Sequence, residues 1–229
     1  MQDNETVQPK ESGRKTRGRI DLGDCIKVMA NWPSDSIDLV VTDPPYLVNY
    51  KDRANRSIAN DKTDEWLAPA FEQVYRVLKP HSFCVSFYGY TKTDVFWEAW
   101  KRAGFRIAGH FTFPKRYTSS TRFVKMQHEG AYLLTKGNPA PPTNIIGDVL
   151  EFQYSGNKHH PTQKPLGAII PLVDSFSKPN DIVCDPFSGS GTTLVAAKML
   201  GRRYLGIELD EKYHAAATAR LGDYIIIHD

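Results

Sequence analysis

Ile37-Asp38-Leu39-Val40-Val41-Thr42-Asp43-Pro44-Pro45-Tyr46 reads as a buried strand that must leave its sheet at one fixed place. Residues 37–41 are apolar but for Asp38. A Pro-Pro pair cannot continue a central strand, so a loop begins after Asp43. The pattern recurs late in the chain. Residues 181–184 read as a strand, and Asp185-Pro186-Phe187-Ser188-Gly189-Ser190-Gly191-Thr192-Thr193 as a Gly-rich loop that opens a helix.

Working outward, strands and helices alternate. Residues 20–22 predict a short strand, and 25–31 a helix with Ile26, Met29 and Ala30 on one face. Residues 47–64 are polar and read as a long mobile loop. A helix over 69–78 takes Pro69 in its first turn and stops at Lys79-Pro80. Strands follow at 83–88, 105–113 and 130–135, with a helix at 93–103 closed by Gly104. Residues 138–143 are Pro-rich loop, and the path to about 158 is irregular. Helices over 166–175, 192–200 and from the Asp210 cap to 221 flank strands at 181–184 and 204–207. Residues 224–227 predict a last short strand. This order predicts an α/β fold with a mostly parallel, doubly wound sheet. Such sheets bind ligands at the carboxyl ends of their strands. Asp24, Asp43, Asp185 and Glu208 all fall at predicted strand ends, which favours a site over four independent turn formers.

The 229 residues fit one α/β domain, expected over 19–229. With 41% hydrophobic and 24% charged residues, the composition is that of an ordinary soluble protein. No apolar run approaches the ~20 residues that cross a bilayer. The first nine residues lack an apolar signal core, so a cytoplasmic protein is expected. Cys25, Cys84 and Cys184 lack metal-like spacing and suit a reduced cytosol, so no metal and no disulfide are expected. The net charge of +3 is small, but the basic residues cluster. Residues 1–18 form an arm without apolar periodicity, expected to be disordered, with Lys10, Arg14, Lys15 and Arg17 near its end. Lys115, Arg116, Arg122 and Lys125 form a second cluster without an acid, and Lys51, Arg53 and Arg56 lie in the long loop. Such clusters can neutralise phosphates; the plainer alternative is solvated chain.

The chemistry lies in the two loops. Gly189 and Gly191 let the backbone approach a ligand, and the helix start at Thr192 and Thr193 offers free N–H groups. The Gly-Lys-Ser/Thr ending of a phosphate-binding loop is absent. Glu208, at the end of the next strand, can accept from two ribose hydroxyls. Glycines with this acid fit an adenosyl ligand without a pyrophosphate, and S-adenosylmethionine is the natural candidate. In the first loop, the Asp43 carboxylate and Pro44 carbonyl can accept from both N–H bonds of an exocyclic amino group. Pro45 stiffens their spacing, and Tyr46 offers a ring face to a base. Fixed acceptors polarise a poorly nucleophilic nitrogen before the reaction begins. A base buried in a duplex must flip out to reach them.

These residues resemble the β-class DNA amino-methyltransferases. Asp43-Pro44-Pro45-Tyr46 matches their catalytic motif, and Asp185 to Thr193 their cofactor loop, with Phe187 and Ser188 inside it. Gly206-Ile207-Glu208-Leu209-Asp210 matches the ribose-binding strand end, and Gly23-Asp24-Cys25 the segment that meets the adenosyl base. His160-Pro161-Thr162-Gln163-Lys164-Pro165 matches the motif that lines the methionine end of the cofactor, through Thr162 and Lys164. The matches span residues 20–215. The resemblance implies a Rossmann-like, circularly permuted, seven-stranded mixed sheet with helices on both faces. In it the strands near 105 and 130 form the terminal antiparallel pair. It also implies transfer of a methyl group to double-stranded DNA. Asp at the first catalytic position favours adenine N6, since cytosine-N4 enzymes more often carry Ser there.

Little chain is left for choosing a target. A recognition insertion is expected around 114–158, with Arg116, Arg122 and Gln127 as candidate base readers. A homodimer is expected, as the family often forms one. The alternatives are a cytosine-N4 enzyme, an amide or RNA methyltransferase on the same fold, and a non-catalytic nucleic-acid binder. Amide-modifying relatives usually carry Asn in place of Asp43 and keep the cofactor loop N-terminal, which this chain does not.

Overall fold

The computed structural model describes residues 18–50, 60–120, 123–152 and 163–223. Its strands are β1 (Gly18–Leu22), β2 (Ile37–Thr42), β3 (Leu78–Phe87), β4 (Arg106–Ser120), β5 (Lys125–Lys136), β6 (Ile182–Asp185) and β7 (Arg203–Glu208). Its helices are α1 (Cys25–Ala30), α2 (Leu67–Val77), α3 (Thr93–Ala103), α4 (Leu166–Phe176), α5 (Thr192–Met199) and α6 (Glu211–Asp223). The strands form one seven-stranded sheet in the order β1-β7-β6-β2-β3-β5-β4. The first five of that order run parallel, and β5 runs antiparallel to both β3 and β4. The expected mixed sheet with a terminal antiparallel pair is therefore present.

Alternation along the strands makes two cores. Val40, Cys84 and Cys184 face a layer built by α1, α2 and α3 around Met29, Phe71 and Trp100. Leu39, Val41, Val85 and Val183 face a layer built by α4, α5 and α6 around Leu172, Leu194 and Leu221. Period-two alternation with both faces apolar is what buries these strands between helix layers. Asp38, the break in the apolar run, bridges its neighbours: it accepts from Lys79 Nζ on β3 and from Ile182 N at the start of β6. Gly104 ends α3 at φ 105°, a conformation that glycine adopts without a Cβ clash.

Several expected boundaries shift. Lys79-Pro80 lies inside β3, because α2 has already ended at Val77. Ala30 is exposed; α1 buries Met29 and packs Cys25, Ile26 and Val28 against the same core. The described ends of the expected loop 47–64 are held. Leu47 is buried, and the buried Asp61 accepts from the backbone of Val48 and Tyr50. The first part of the expected insertion is strand. β4 and β5 extend as one hairpin, with pairs from Arg106↔Thr135 to Ser120↔Lys125. Residues 138–152 then run beside β4, bridging Thr112↔Val149 and Lys115↔Phe152. The arm before residue 18 and the expected strand at 224–227 lie outside the described residues.

β3 and β5 stop pairing at Phe87↔Ala131. The hairpin from Gly130 outward therefore stands beyond the carboxyl edge of the parallel strands. Asp43 follows β2, Asp185 ends β6, Glu208 ends β7 and Asp24 lies just past β1. All four acids share that edge. Among the described residues no helix is long and apolar enough to cross a membrane.

Candidate active site

One cavity opens at this edge, and both loops line it. Gly23, Asp24, Cys25 and Glu208 contribute to its wall, as do Gly189, Lys164 and residues 43–46. Trp66, which sequence reading did not single out, also lines it, edge-on to Phe187 with ring centroids 5.2 Å apart. No group of His, Cys, Asp or Glu side chains suited to a metal occurs among the described residues.

On the donor side, Glu208 is oriented by backbone. Its Oε2 accepts from Gly189 N at 2.7 Å and its Oε1 from Asp210 N at 2.9 Å. Burial nevertheless lifts its carboxyl above the ordinary range, against those two donors. A carboxylate fixed this way at a cavity wall fits a ribose diol. Asp24 caps α1, its Oδ1 accepting from Ile26 N and Lys27 N. Burial, then the neighbouring Asp24, pushes the Cys25 thiol up to about 12, so it stays protonated. Asp185 and Ser188 hold the loop from within. Asp185 Oδ1 accepts from Phe187 N, and Ser188 Oγ donates to the Asp185 carbonyl.

Two loop residues are also held by packing from α6. Gly191, at φ 74°, is confined by α6: a Cβ there would meet the Ala217 Cβ at 3.1 Å. Its glycine serves the left-handed turn and the packing of α6. Thr192 is buried, and its hydroxyl donates to the Lys164 carbonyl at 3.1 Å while accepting from Arg220 Nη1 at 2.9 Å. Arg220 also donates to the Ser190 carbonyl. This buried arginine of α6 is a loop anchor that no motif announced.

On the acceptor side, Tyr46 folds back on Asp43, its hydroxyl donating to Asp43 Oδ1 at 2.8 Å. Gly89, just past β3, lies under Tyr46. Lys164 was expected at the methionine end of a cofactor. Its Nζ lies 2.6 Å from Asp43 Oδ2, 3.1 Å from Tyr46 Oη and 3.1 Å from Glu129 Oε2, and it lines the same cavity as the Gly-rich loop. The ammonium is buried and lies over the Tyr46 and Phe87 rings. Burial works against its charge, but Asp43 and then Glu129 outweigh it and hold Lys164 protonated. For Asp43, burial outweighs Lys164, so its carboxyl lies above the ordinary range. Glu129 is a further member of the site that the sequence reading missed.

Lys115 is half-buried on the hairpin, and Arg116 and Lys125 are exposed there. Gln127 is exposed on β5. Lys51, Arg53, Arg56, Arg122 and Thr162 lie outside the described residues.

A permuted sheet of this order, with Glu208, Asp43 and Lys164 around one cavity at its carboxyl edge, is that of an S-adenosylmethionine-dependent methyltransferase. The chain belongs to the N6/N4 DNA methylase family, whose profile matches residues 37–156 and 143–219. It is 55% identical over 203 residues, 89% of each chain, to YubD of Escherichia coli (strain K12), a protein provisionally named a methylase. The crystallised M1.HpyAVI–SAM complex superposes with a TM-score of 0.70 at 25% identity, covering 88% of this chain and 98% of that one. The cytosine-N4-specific PvuII DNA methyltransferase shares the fold, with a TM-score of 0.73 at 20% identity over 90% of this chain and 86% of its own.

Proposed function

We propose that this methyltransferase modifies the N6 amino group of an adenine flipped out of double-stranded DNA. The observation that carries this reading is the Asp43 carboxylate, held by Tyr46 and Lys164 at the wall of the same cavity as Glu208. An acid at the first catalytic position favours adenine over cytosine. Bound S-adenosylmethionine supplies a sulfonium methyl group to the amine nitrogen. Glu208 would hold its ribose hydroxyls, and Gly23, Asp24 and Cys25 its base. The loop from Asp185 to Thr193 and Thr162 would hold its amino-acid end. Asp43 and the Pro44 carbonyl accept from the target N–H bonds, Tyr46 stacks on the base, and Pro45 fixes the spacing.

The hairpin of β4 and β5 serves as the recognition element, with Lys115, Arg116, Arg122 and Lys125 on phosphates, joined by Lys51, Arg53 and Arg56. Residues 19–229 act as one catalytic domain in the cytosol, as a homodimer, with the basic arm adding phosphate contacts. Sequencing of plasmid DNA modified in cells that express the protein tests the reading. N6-methyladenine at a fixed short sequence is the expected result. N4-methylcytosine instead would transfer the same mechanism to the other base, and unmodified DNA would overturn the proposal. Asp43→Ala should abolish methyl transfer while leaving cofactor affinity within about twofold, since Asp43 acts on the acceptor.

A further inference from the structure

The acceptor site holds more carboxylate than its single buried ammonium needs. Lys164 gives its hydrogen bonds to Asp43 Oδ2 and Tyr46 Oη. Glu129 Oε2 lies only 3.1 Å from the same nitrogen, yet it is buried and accepts no hydrogen bond among the described residues. The contact is an ion pair without hydrogen-bond geometry. A buried carboxylate oxygen without a donor is costly. Here that oxygen is aimed at a cation engaged by another acid.

We propose that Glu129 is a positioning residue that takes Lys164 from Asp43 when the target amino group arrives. The proposal rests on Asp43 being the grip for that amino group. Both oxygens of Asp43 are engaged in this structure, Oδ1 by Tyr46 and Oδ2 by Lys164. An amino group that takes Oδ2 must share it or displace the ammonium. Sharing is unfavourable. A cation on Asp43 draws charge from the acceptor and stands beside a nitrogen that becomes positive as it gains a methyl group. Displacement needs little motion, because Glu129 is already within hydrogen-bonding distance. After the hand-off the ammonium is neutralised by Glu129, and the Asp43 charge faces the target nitrogen alone.

The position of Glu129 in the chain adds a consequence. It lies on β5, two residues beyond the last β3 pair at Ala131, at the root of the projecting hairpin. The strand that carries Lys125 toward DNA thus also carries the second seat for Lys164. Seating of the hairpin and release of Asp43 are coupled through one strand.

The test compares the full-length wild type with Glu129→Gln and Glu129→Asp on a duplex bearing the site found by sequencing. For Glu129→Gln, the single-turnover rate should fall about tenfold to a hundredfold, with KM for DNA and cofactor affinity by calorimetry within about twofold. Glu129→Asp, which keeps the charge, should recover part of the rate. A second readout needs no turnover. In 15N-lysine-labelled protein with S-adenosylhomocysteine, the Lys164 ammonium resonance should move when the duplex is added to wild type and stay still in Glu129→Gln. A wild-type rate in Glu129→Gln, or a resonance that moves equally in both proteins, overturns the hand-off. So does a rate loss matched by lost cofactor affinity or a lowered Tm, which would make Glu129 structural. Failure of the wild type to label DNA overturns the reading of Asp43 itself, a result distinct from an indifferent Glu129.

Discussion

Thr42 Oγ1 donates to Asp185 Oδ1 at 2.9 Å across 143 residues of sequence, joining the ends of β2 and β6 where the two loops begin. Thr42 immediately precedes Asp43, so this buried bond sets the donor loop against the acceptor loop. Asp185 is 4% exposed, and burial pushes its carboxyl up to about 7 despite Thr42 and Phe187 N. A raised carboxyl binds its proton more tightly in the folded state. The stability this provides is full below the ordinary value of 3.8 and is lost as pH rises through about 7. Asp185→Asn keeps an oxygen for both donors but cannot ionise. Its stability relative to wild type should therefore improve between about pH 5 and pH 8, by on the order of 2–4 kcal/mol. Melting curves at the two pH values check this, and a constant difference would show that Asp185 does not titrate with folding.

Gly89 sets the height of the acceptor. A Cβ at this position would lie 2.7 Å from the Tyr46 carbonyl oxygen and 2.9 Å from the Tyr46 Cβ. Its φ of −82° suits any residue, so the constraint is space and not backbone conformation. Gly89→Ala should push Tyr46, and Asp43 with it, away from β3. A displacement of this size costs about 1–3 kcal/mol of stability and about a hundredfold in methyl transfer. Chemical denaturation and a single-turnover assay measure the two losses. An unchanged rate would show that the loop tolerates the shift.

The strand-and-loop pattern was legible because two apolar runs end in residues that cannot continue a sheet. The acids at those ends followed from chain order alone. What stayed hidden depended on side-chain direction or on distant packing. Lys164 sits in a segment that leads into the donor helices, yet it reaches across to Asp43, 121 residues away. Glu129 fell just outside the expected strand at 130–135; its one signal was an acid near a basic stretch. The outer half of the hairpin was missed because Pro114, Lys115 and Arg116 show no apolar alternation. This part is held by the pairs Pro114↔His128, Ser119↔Met126 and Ser120↔Lys125 and by the bridge Lys115↔Phe152.

The same hairpin gives a salt-dependence test. Arg116 and Lys125 are exposed on it beyond the sheet edge. If each neutralises a phosphate, replacing both by Gln should make the slope of log K against log salt shallower by roughly 2, with thermal stability unchanged. Fluorescence anisotropy on a labelled duplex over a range of salt concentrations gives the slope. A parallel line at lower affinity would place their contribution elsewhere than on the DNA backbone.

Arg220 ties the donor loop to the rest of the site. It is 5% exposed, and its Nη1 reaches the Ser190 carbonyl at 3.0 Å and Thr192 Oγ1 at 2.9 Å. Thr192 in turn donates to the Lys164 carbonyl, so one chain of hydrogen bonds runs from α6 through the cofactor loop to the residue that carries the acceptor's ammonium. Arg220→Met preserves most of the volume but leaves the Ser190 carbonyl and the Thr192 hydroxyl without this donor. The expected cost is about 2–4 kcal/mol of stability, from loss of a buried charged donor. Because the loop loses its anchor, cofactor affinity should also fall, by about tenfold. Calorimetric titration with S-adenosylmethionine separates the two effects at a temperature where the variant is folded. A stable variant that binds the cofactor as wild type does would show that the loop keeps its shape without Arg220.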